Sequence, residues 1–487
     1  MTVSPLEIKD LKKLVREKIF LGNEPSAELL AILTVYFVQG ILGLARLAVS
    51  FFLKDDLGLS PAEVAALTGI ASLPWIIKPL FGFMSDGLPL FGYRRRPYLI
   101  LSGLLGTIAW VGLATIVDNG WLATGVLLLT SLSVAISDVI VDSLVVERAR
   151  KESLAQSGSL QSLSWGSSAL GGLLTAYLSG WLLQHFNANT IFLITATFPL
   201  LVSSVAWAIA EDKIDKEDKQ VRSKFVVTEQ IKQLWNAVKQ KSIWLPTAFL
   251  FLWQATPTAD SAFFFFTTNE LGFEPEFLGR VRLVTSFAAL IGIFIFQRYL
   301  KNVPFRSILG WSTIIAASLG MTTLLLVTHA NRALGIDDRW FSLGDSLILT
   351  VMGQITWMPV LVLSARLCPK GVEATLFALL MSIYNLSGLI SHELGALLTA
   401  WLGITETNFD RLWILVIITN LSTLLPLIFL GWLPNGDPQE NETEILRNLA
   451  PAEISEHHTV GSLLETKLMP DLIPEFIIDR LSKERKE

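Results

Sequence analysis

The chain reads as an all-α membrane protein, with about twelve transmembrane helices in two pseudo-symmetric six-helix bundles. Three observations predict this. Hydrophobic residues make up 52% of the 487 and charged residues only 17%, against about 25% charged in a soluble domain. Apolar runs of about 20 residues, the length that crosses roughly 30 Å of hydrocarbon, recur between short polar breaks. A phrase in the first half, Phe51-Phe52 followed by Leu57-Gly58-x-x-Pro61, returns as Phe265-Phe266 followed by Leu271-Gly272-x-x-Pro275 at a constant offset of 214. Self-similarity at a fixed offset marks an internal repeat.

In order, the predicted spans lie near 29–52, 62–84, 97–117, 121–146, 157–184, 189–210, 243–267, 276–297, 304–328, 341–365, 372–402 and 411–433. The fifth and eleventh are long enough to tilt or to extend beyond the lipid. Residues 1–28 mix charge with Leu, Val and Ile at helical spacing, which predicts a surface amphipathic helix rather than a cleavable leader. The organisation expected is an N-terminal segment (1–28), a first bundle (29–210), a charged linker (211–242), a second bundle (243–433) and a solvated tail (434–487). A second trace of the repeat links Ala149-Arg150 to Ala365-Arg366, and Gly171 to Gly388.

Lys and Arg concentrate on the side of a membrane protein that is not translocated. Of the 38 here, only Lys54, Arg280, Arg282, Arg332, Arg339 and Arg411 are assigned to outer loops, while Arg46 and Lys78 fall inside spans. Both termini are therefore expected on the cytoplasmic side. The net charge of -5 carries little weight in a chain whose charges are segregated by side, and nucleic acid is not an expected partner. One cysteine, Cys368, excludes an intramolecular disulfide. The glycine-rich stretches lack a Gly-Lys-Ser/Thr run, which argues against ATP-driven transport. No metal cluster or cofactor is expected, and His457-His458 stands alone in the tail.

A cation at helix centre costs about 2.5–3.5 kcal/mol on insertion scales, so one kept there marks a solute or ion pathway. Arg46 lies about 25 Å from the inner end of the first helix at 1.5 Å per residue. The offset of 214 makes Asp260 its repeat-equivalent, a candidate partner for closing the outer side or for binding substrate when parted. Lys78 lies about 12 Å above the inner end of the second helix. Asp138 and Asp142, four residues apart, share a face of the fourth helix. Pairing with Lys78 spares each an unpaired charge, and two carboxylates one turn apart favour sharing a proton. His392 and Glu393 form a second candidate proton site. Trp75, Trp165, Trp253 and Trp357 can stack on a flat ligand, and Gln39, Gln161, Gln254, Gln354 and Asn385 can offer hydrogen bonds.

Between the second and third spans the chain reads Gly82-Phe83-Met84-Ser85-Asp86, then Gly92-Tyr93-Arg94-Arg95-Arg96. This resembles the major facilitator superfamily, and the resemblance implies that Asp86 and Arg94 latch the two halves on the cytoplasmic side. The phrases SFFLKDDLGLSP, LPWIIKPLFGFMSD, PLFGYRRRPY, SDVIVDSLVVERAR, GSLQSLSWG, FTTNELGFEPEFLGRV and MPVLVLSARLCPKGVEATLFALLMSIYN further resemble the folate-biopterin transporter family, in its cyanobacterial and plastid branch. That resemblance implies carriage of folates or pterins by alternating access with proton symport and no covalent chemistry, in a bacterial cell membrane or, for a eukaryotic source, a plastid envelope. Its alternatives are another aromatic or organic anion, or a pigment-delivery scaffold that transports nothing. A folate suits the embedded residues. Its 2-amino-4-oxopteridine edge offers adjacent N–H groups to a carboxylate, and its glutamate offers carboxylates to Arg or Lys.

Overall fold

The computed structural model describes residues 23–149, 154–210, 239–300, 303–367 and 373–434, together with Arg16, Glu17, Phe20, Glu211 and Lys213. Most of the N-terminal segment, nearly all of the linker, Arg150, Cys368 and all but the first residue of the tail lie outside them, as do the side chains of Asp86 and Gln161. Among the described residues the chain makes twelve successive helical passes. In the first half they are α1 (Ala27–Asp56), α2 (Pro61–Ser85), α3 (Arg96–Thr115), α4 (Gly120–Ala149), α5 (Leu154–His185) and α6 (Ala188–Ala208). In the second half they are α7 (Lys241–Gln254, resuming at Asp260–Phe265), α8 (Pro275–Leu300), α9 (Phe305–Val327), α10 (Asp338–Arg366), α11 (Glu373–Trp401) and α12 (Leu412–Trp432). Nine are long and apolar enough by themselves to cross a membrane. Of the others, α7 is interrupted at 255–259.

Helix starts follow local chemistry. Ser26 caps α1 by accepting from the Leu29 N–H at 3.1 Å. Ser60 and Glu63 form a reciprocal capping box with Pro61 in the first turn of α2, and Asn187 caps α6 through Thr190. Each satisfies donors that the first helical turn leaves open. At α3 the cap comes from far along the chain. The Glu211 carboxylate accepts from the backbone N–H groups of Arg94, Arg95 and Arg96. Arg96 in turn donates to the Ile209 carbonyl at 2.5 Å, where the last turn of α6 presents unpaired carbonyls. Arg306, at the start of α9, does the same for the end of α12 through the Gly431 and Leu433 carbonyls.

The repeat extends to backbone detail. α1 and α7 both end in a five-residue π turn, Phe52–Asp56 and Phe266–Glu270. Matching bonds follow, Leu57 N–H to Phe52 O and Leu271 N–H to Phe266 O, then Leu59 to Leu53 and Phe273 to Thr267. Gly58 and Gly272 then turn the chain at φ 62° and 64°, the left-handed region that glycine enters without a Cβ clash. The breaks correspond too. The 3-10 turn Leu42–Leu44 in α1 and the non-helical stretch 255–259 in α7 overlie at the same offset.

Close backbone approach joins the helices. A Cβ on Gly40 would lie 2.0 Å from the Ser168 carbonyl oxygen, and one on Gly171 2.5 Å from that of Phe37, so α1 and α5 touch main chain to main chain. Between the bundles, a Cβ on Gly180 of α5 would lie 2.2 Å from the Pro275 carbonyl of α8. Association in lipid relies on such van der Waals contact because lipid tails are as apolar as leucine.

Gly40→Val is expected to cost roughly 1–3 kcal/mol or more through overpacking, read as a lower melting temperature of the detergent-purified protein. Gly166→Val, where a Cβ meets nothing within 4 Å, is the control and is expected to leave it unchanged. Equal losses at both would reject the close-approach account. Glu211→Ala uncaps three adjacent donors and is expected to lower stability by about 1–2 kcal/mol, on the same readout.

Candidate functional site

Pro74 and Pro79 interrupt α2, so that it passes through a 3-10 turn at Leu73–Trp75 and resumes at Lys78. The restart aims the Lys78 ammonium across to α4, where it donates to the Asp138 carboxylate. The two side chains are only 18% and 14% exposed, so the pair is poorly screened and neither partner is cheaply left alone. Lys78 also sits 4.9 Å over the Trp75 ring. One turn along α4, Asp142 accepts from the Tyr36 hydroxyl of α1. Two carboxylates thus share one cation and one phenol, an arrangement with one formal negative charge in excess.

In the second bundle the Tyr384 hydroxyl of α11 donates to the Gln254 side-chain oxygen at the end of the first part of α7. The Trp357 ring of α10 lies 4.4 Å from that of Tyr384, tilted by 47°. The next residue, Asn385, crosses to the first bundle and donates to the Trp75 carbonyl at 3.0 Å. Asp142, Tyr36, Asp138, Lys78, Trp75, Asn385, Tyr384, Gln254 and Trp357 therefore form a connected polar and aromatic seam drawn from six helices. Gln354 lies on α10 three residues before Trp357, half-buried against Gly292 of α8. Trp165 on α5 is 63% exposed.

Register explains two departures from the expected ligand set. Gln39 and Trp253, at the offset of 214, both point into their own bundles. Gln39 enters a polar crevice lined by Ser102, Ser133, Ser137 and Pro199, and Trp253 donates to the Thr313 hydroxyl at 3.1 Å. Gln254, one residue and hence about 100° further round the helix, is the one that reaches the seam.

Contacts at the end away from the Arg94–Arg96 turn join the bundles. Lys54 of α1 donates to Asn269 at 2.8 Å, Phe51 meets Phe264 edge-on at 5.3 Å, and Tyr177 of α5 donates to Glu276 of α8 at 3.2 Å. At that end Gly69 of α2 packs on Glu393 and His392 of α11, and one Glu393 carboxyl oxygen is buried without a hydrogen-bond partner among the described residues. Arg46 and Asp260 are both exposed, and no ion pair within 4.0 Å joins them. Arg280 and Arg282 correct the loop assignment, because both belong to α8, and Arg282 is held between the bundles by Gly43 and Ser179. Arg339 likewise starts within α10.

The basic turn also differs in detail from the expected latch. Arg95 is the buried arginine, donating to Ser85 at 2.8 Å, while Arg94 is exposed and binds Glu211 through its main chain. These contacts lie inside the first bundle, and the Asp86 side chain is outside the described residues. Sequence reasoning missed Tyr36, Tyr384, Glu211 and Arg282. For Arg282 a signal existed, since it stands seven positions into the apolar run 276–297.

With this geometry in hand, comparison with known proteins is informative. A Synechocystis sp. protein named "Folate-biopterin transporter" is 63% identical over 98% of this chain and 98% of its own. "Folate transporter 1" of Plasmodium falciparum is 32% identical over 86% of this chain and 81% of its own. Among solved structures, that of a D-xylose-proton symporter matches with a TM-score of 0.62 at 14% identity, covering 85% of this chain and 98% of the symporter. The fold is thus that of major facilitator transporters. A family model described as the BT1 family matches residues 39–453, and the chain belongs to that family.

Proposed function

We propose that this protein is a secondary active transporter that carries folates or related pterins across a membrane by alternating access, coupled to protons. The observation that carries the reading is the connected seam, in which a carboxylate, phenol and ammonium cluster on the first bundle meets an amide and aromatic cluster on the second through Asn385 and Trp75. Costly charges gathered at the boundary of two mobile halves suit a solute pathway and are superfluous in a scaffold. The names of the relatives at 63% and 32% identity supply the substrate class.

The chemistry fits in detail. Asp142 is the accessible carboxylate, suited to accept the paired N–H groups of a 2-amino-4-oxopteridine edge. Trp75, Trp357 and Tyr384 offer faces on which the flat ring stacks. The excess negative charge of the Asp138–Asp142 pair gives a proton a place to bind, and competition between that proton and the Lys78 and Tyr36 partners ties its release to a change in helix packing. The coupling set is Lys78, Asp138 and Asp142, with Glu393 and His392 at the α2–α11 contact. With the basic turn and both termini on the cytoplasmic side, as the positive-inside rule requires, the contacts at Lys54, Phe51 and Tyr177 close the outer side, and rocking of the bundles exchanges them for contacts at the inner side.

Labelled folate uptake into vesicles is expected to rise when the outside is made acidic and to fall to background in Asp142→Asn. Absence of any folate or pterin uptake by the wild type would sink the substrate class, and indifference to the pH gradient would sink the coupling. Lys78→Met strands Asp138 and is expected to destabilise the protein by about 3–5 kcal/mol. Lys78→Met with Asp138→Asn is expected to restore the melting temperature while uptake stays low, and full uptake by the double variant would make the pair purely structural.

A further inference from the structure

We infer that Arg282 of α8 and Arg46 of α1 form a carboxylate-binding site for the glutamyl end of the substrate, and that Arg282 sets the preference for glutamate-bearing folates over pterins that lack the tail. The inference rests on the transport reading above and assigns the second end of the ligand. Arg282 is held in place by neutral groups only. Its guanidinium donates to the Ser179 hydroxyl of α5 at 2.8 Å and to the Gly43 carbonyl at 3.3 Å, where the 3-10 turn of α1 exposes an acceptor. A Cβ on Gly43 would lie 3.7 Å from the Arg282 Nη2, and Arg46 stands three residues beyond Gly43, on the neighbouring turn of the same face.

Two cations so placed repel each other, and among the described residues no carboxylate lies within 4.0 Å of either guanidinium. The nearby acid on α8, Glu276, is engaged by Arg280 at 2.6 Å and by Tyr177. Arg282, half-buried between the bundles with no anion at hand, is the cation that such a site leaves uncompensated. A dicarboxylate resolves it, since each guanidinium can take one carboxylate in a forked, charge-assisted bond. The spacing agrees. Arg46 stands ten residues beyond Tyr36 on α1, about 15 Å along the helix, so the carboxylate cluster at one level and the arginines at the other suit a ligand with a ring at one end and an amino acid at the other.

The test compares thermal stabilisation of the purified full chain by N-(4-aminobenzoyl)-L-glutamate, biopterin and folic acid, with vesicle uptake alongside. In the wild type, the aminobenzoyl-glutamate is expected to raise the melting temperature and to compete with folate. Arg282→Gln is expected to abolish that shift, to raise the folate KM at least about tenfold and to leave the biopterin KM unchanged. Its unliganded melting temperature is expected to change little, because the glutamine amide can still donate to the Gly43 carbonyl or the Ser179 hydroxyl. Arg282→Lys keeps the charge and is expected to fall between. Equal loss of folate and biopterin uptake in Arg282→Gln, or stabilisation by aminobenzoyl-glutamate that survives the substitution, would overturn the site. A wild type that moves neither folate nor biopterin yet is stabilised by aminobenzoyl-glutamate through Arg282 would defeat the transport reading while upholding the site.

Discussion

A charge carried into a bilayer is costly unless polar or charged groups of the protein compensate it, and the ion pair between Lys78 and Asp138 is where this chain does so most directly. The pair bridges α2 and α4, and its geometry depends on Pro74 and Pro79, which break α2 so that Lys78 begins a new helical segment facing α4. The break also exposes the Trp75 carbonyl that Asn385 of the opposite bundle uses. One interruption in one helix thereby supplies the ion pair, the ring beneath the ammonium and the acceptor that ties α11 to α2.

The same economy recurs in the discontinuous helices α1 and α7. Unwound backbone is costly in lipid unless its polar groups are satisfied inside the protein. At the α1 turn the freed Gly43 carbonyl is taken by Arg282. At the α7 break the Thr256 carbonyl is taken by the Ser391 hydroxyl of α11, and Gly395 lets α11 lie directly on the Thr258 carbonyl.

Much of the fold was legible in the residues because hydrophobic length and charge sidedness are local properties. The twelve passes and the 214-residue repeat can be read without a structure. The candidate site was legible in part. Lys78, Asp138, Asp142, Gln254, Trp357 and Asn385 are drawn into one seam, because an ionic or amide side chain inside an apolar run has few tolerable places to go. Gln39 and Trp253 turn into their own bundles instead, because depth in the membrane says nothing of azimuth and one residue of register turns a side chain by about 100°. Arg282 was assigned to a loop because charge topology treats any cation near a span end as outside.

What the sequence determined by itself is the inventory of charges and the depth of those well inside a span, such as Lys78 and Asp138, since length and hydropathy set how deep such a residue lies. What only the tertiary structure decided is who meets whom: that Lys78 takes Asp138 and leaves Asp142 to Tyr36, that Arg282 reaches the Gly43 carbonyl of α1, and that Glu211 caps α3. Those pairings follow from helix rotation and from backbone approach at Gly40, Gly171 and Gly180, which arise when helices from distant parts of the chain pack and have no counterpart in any one segment.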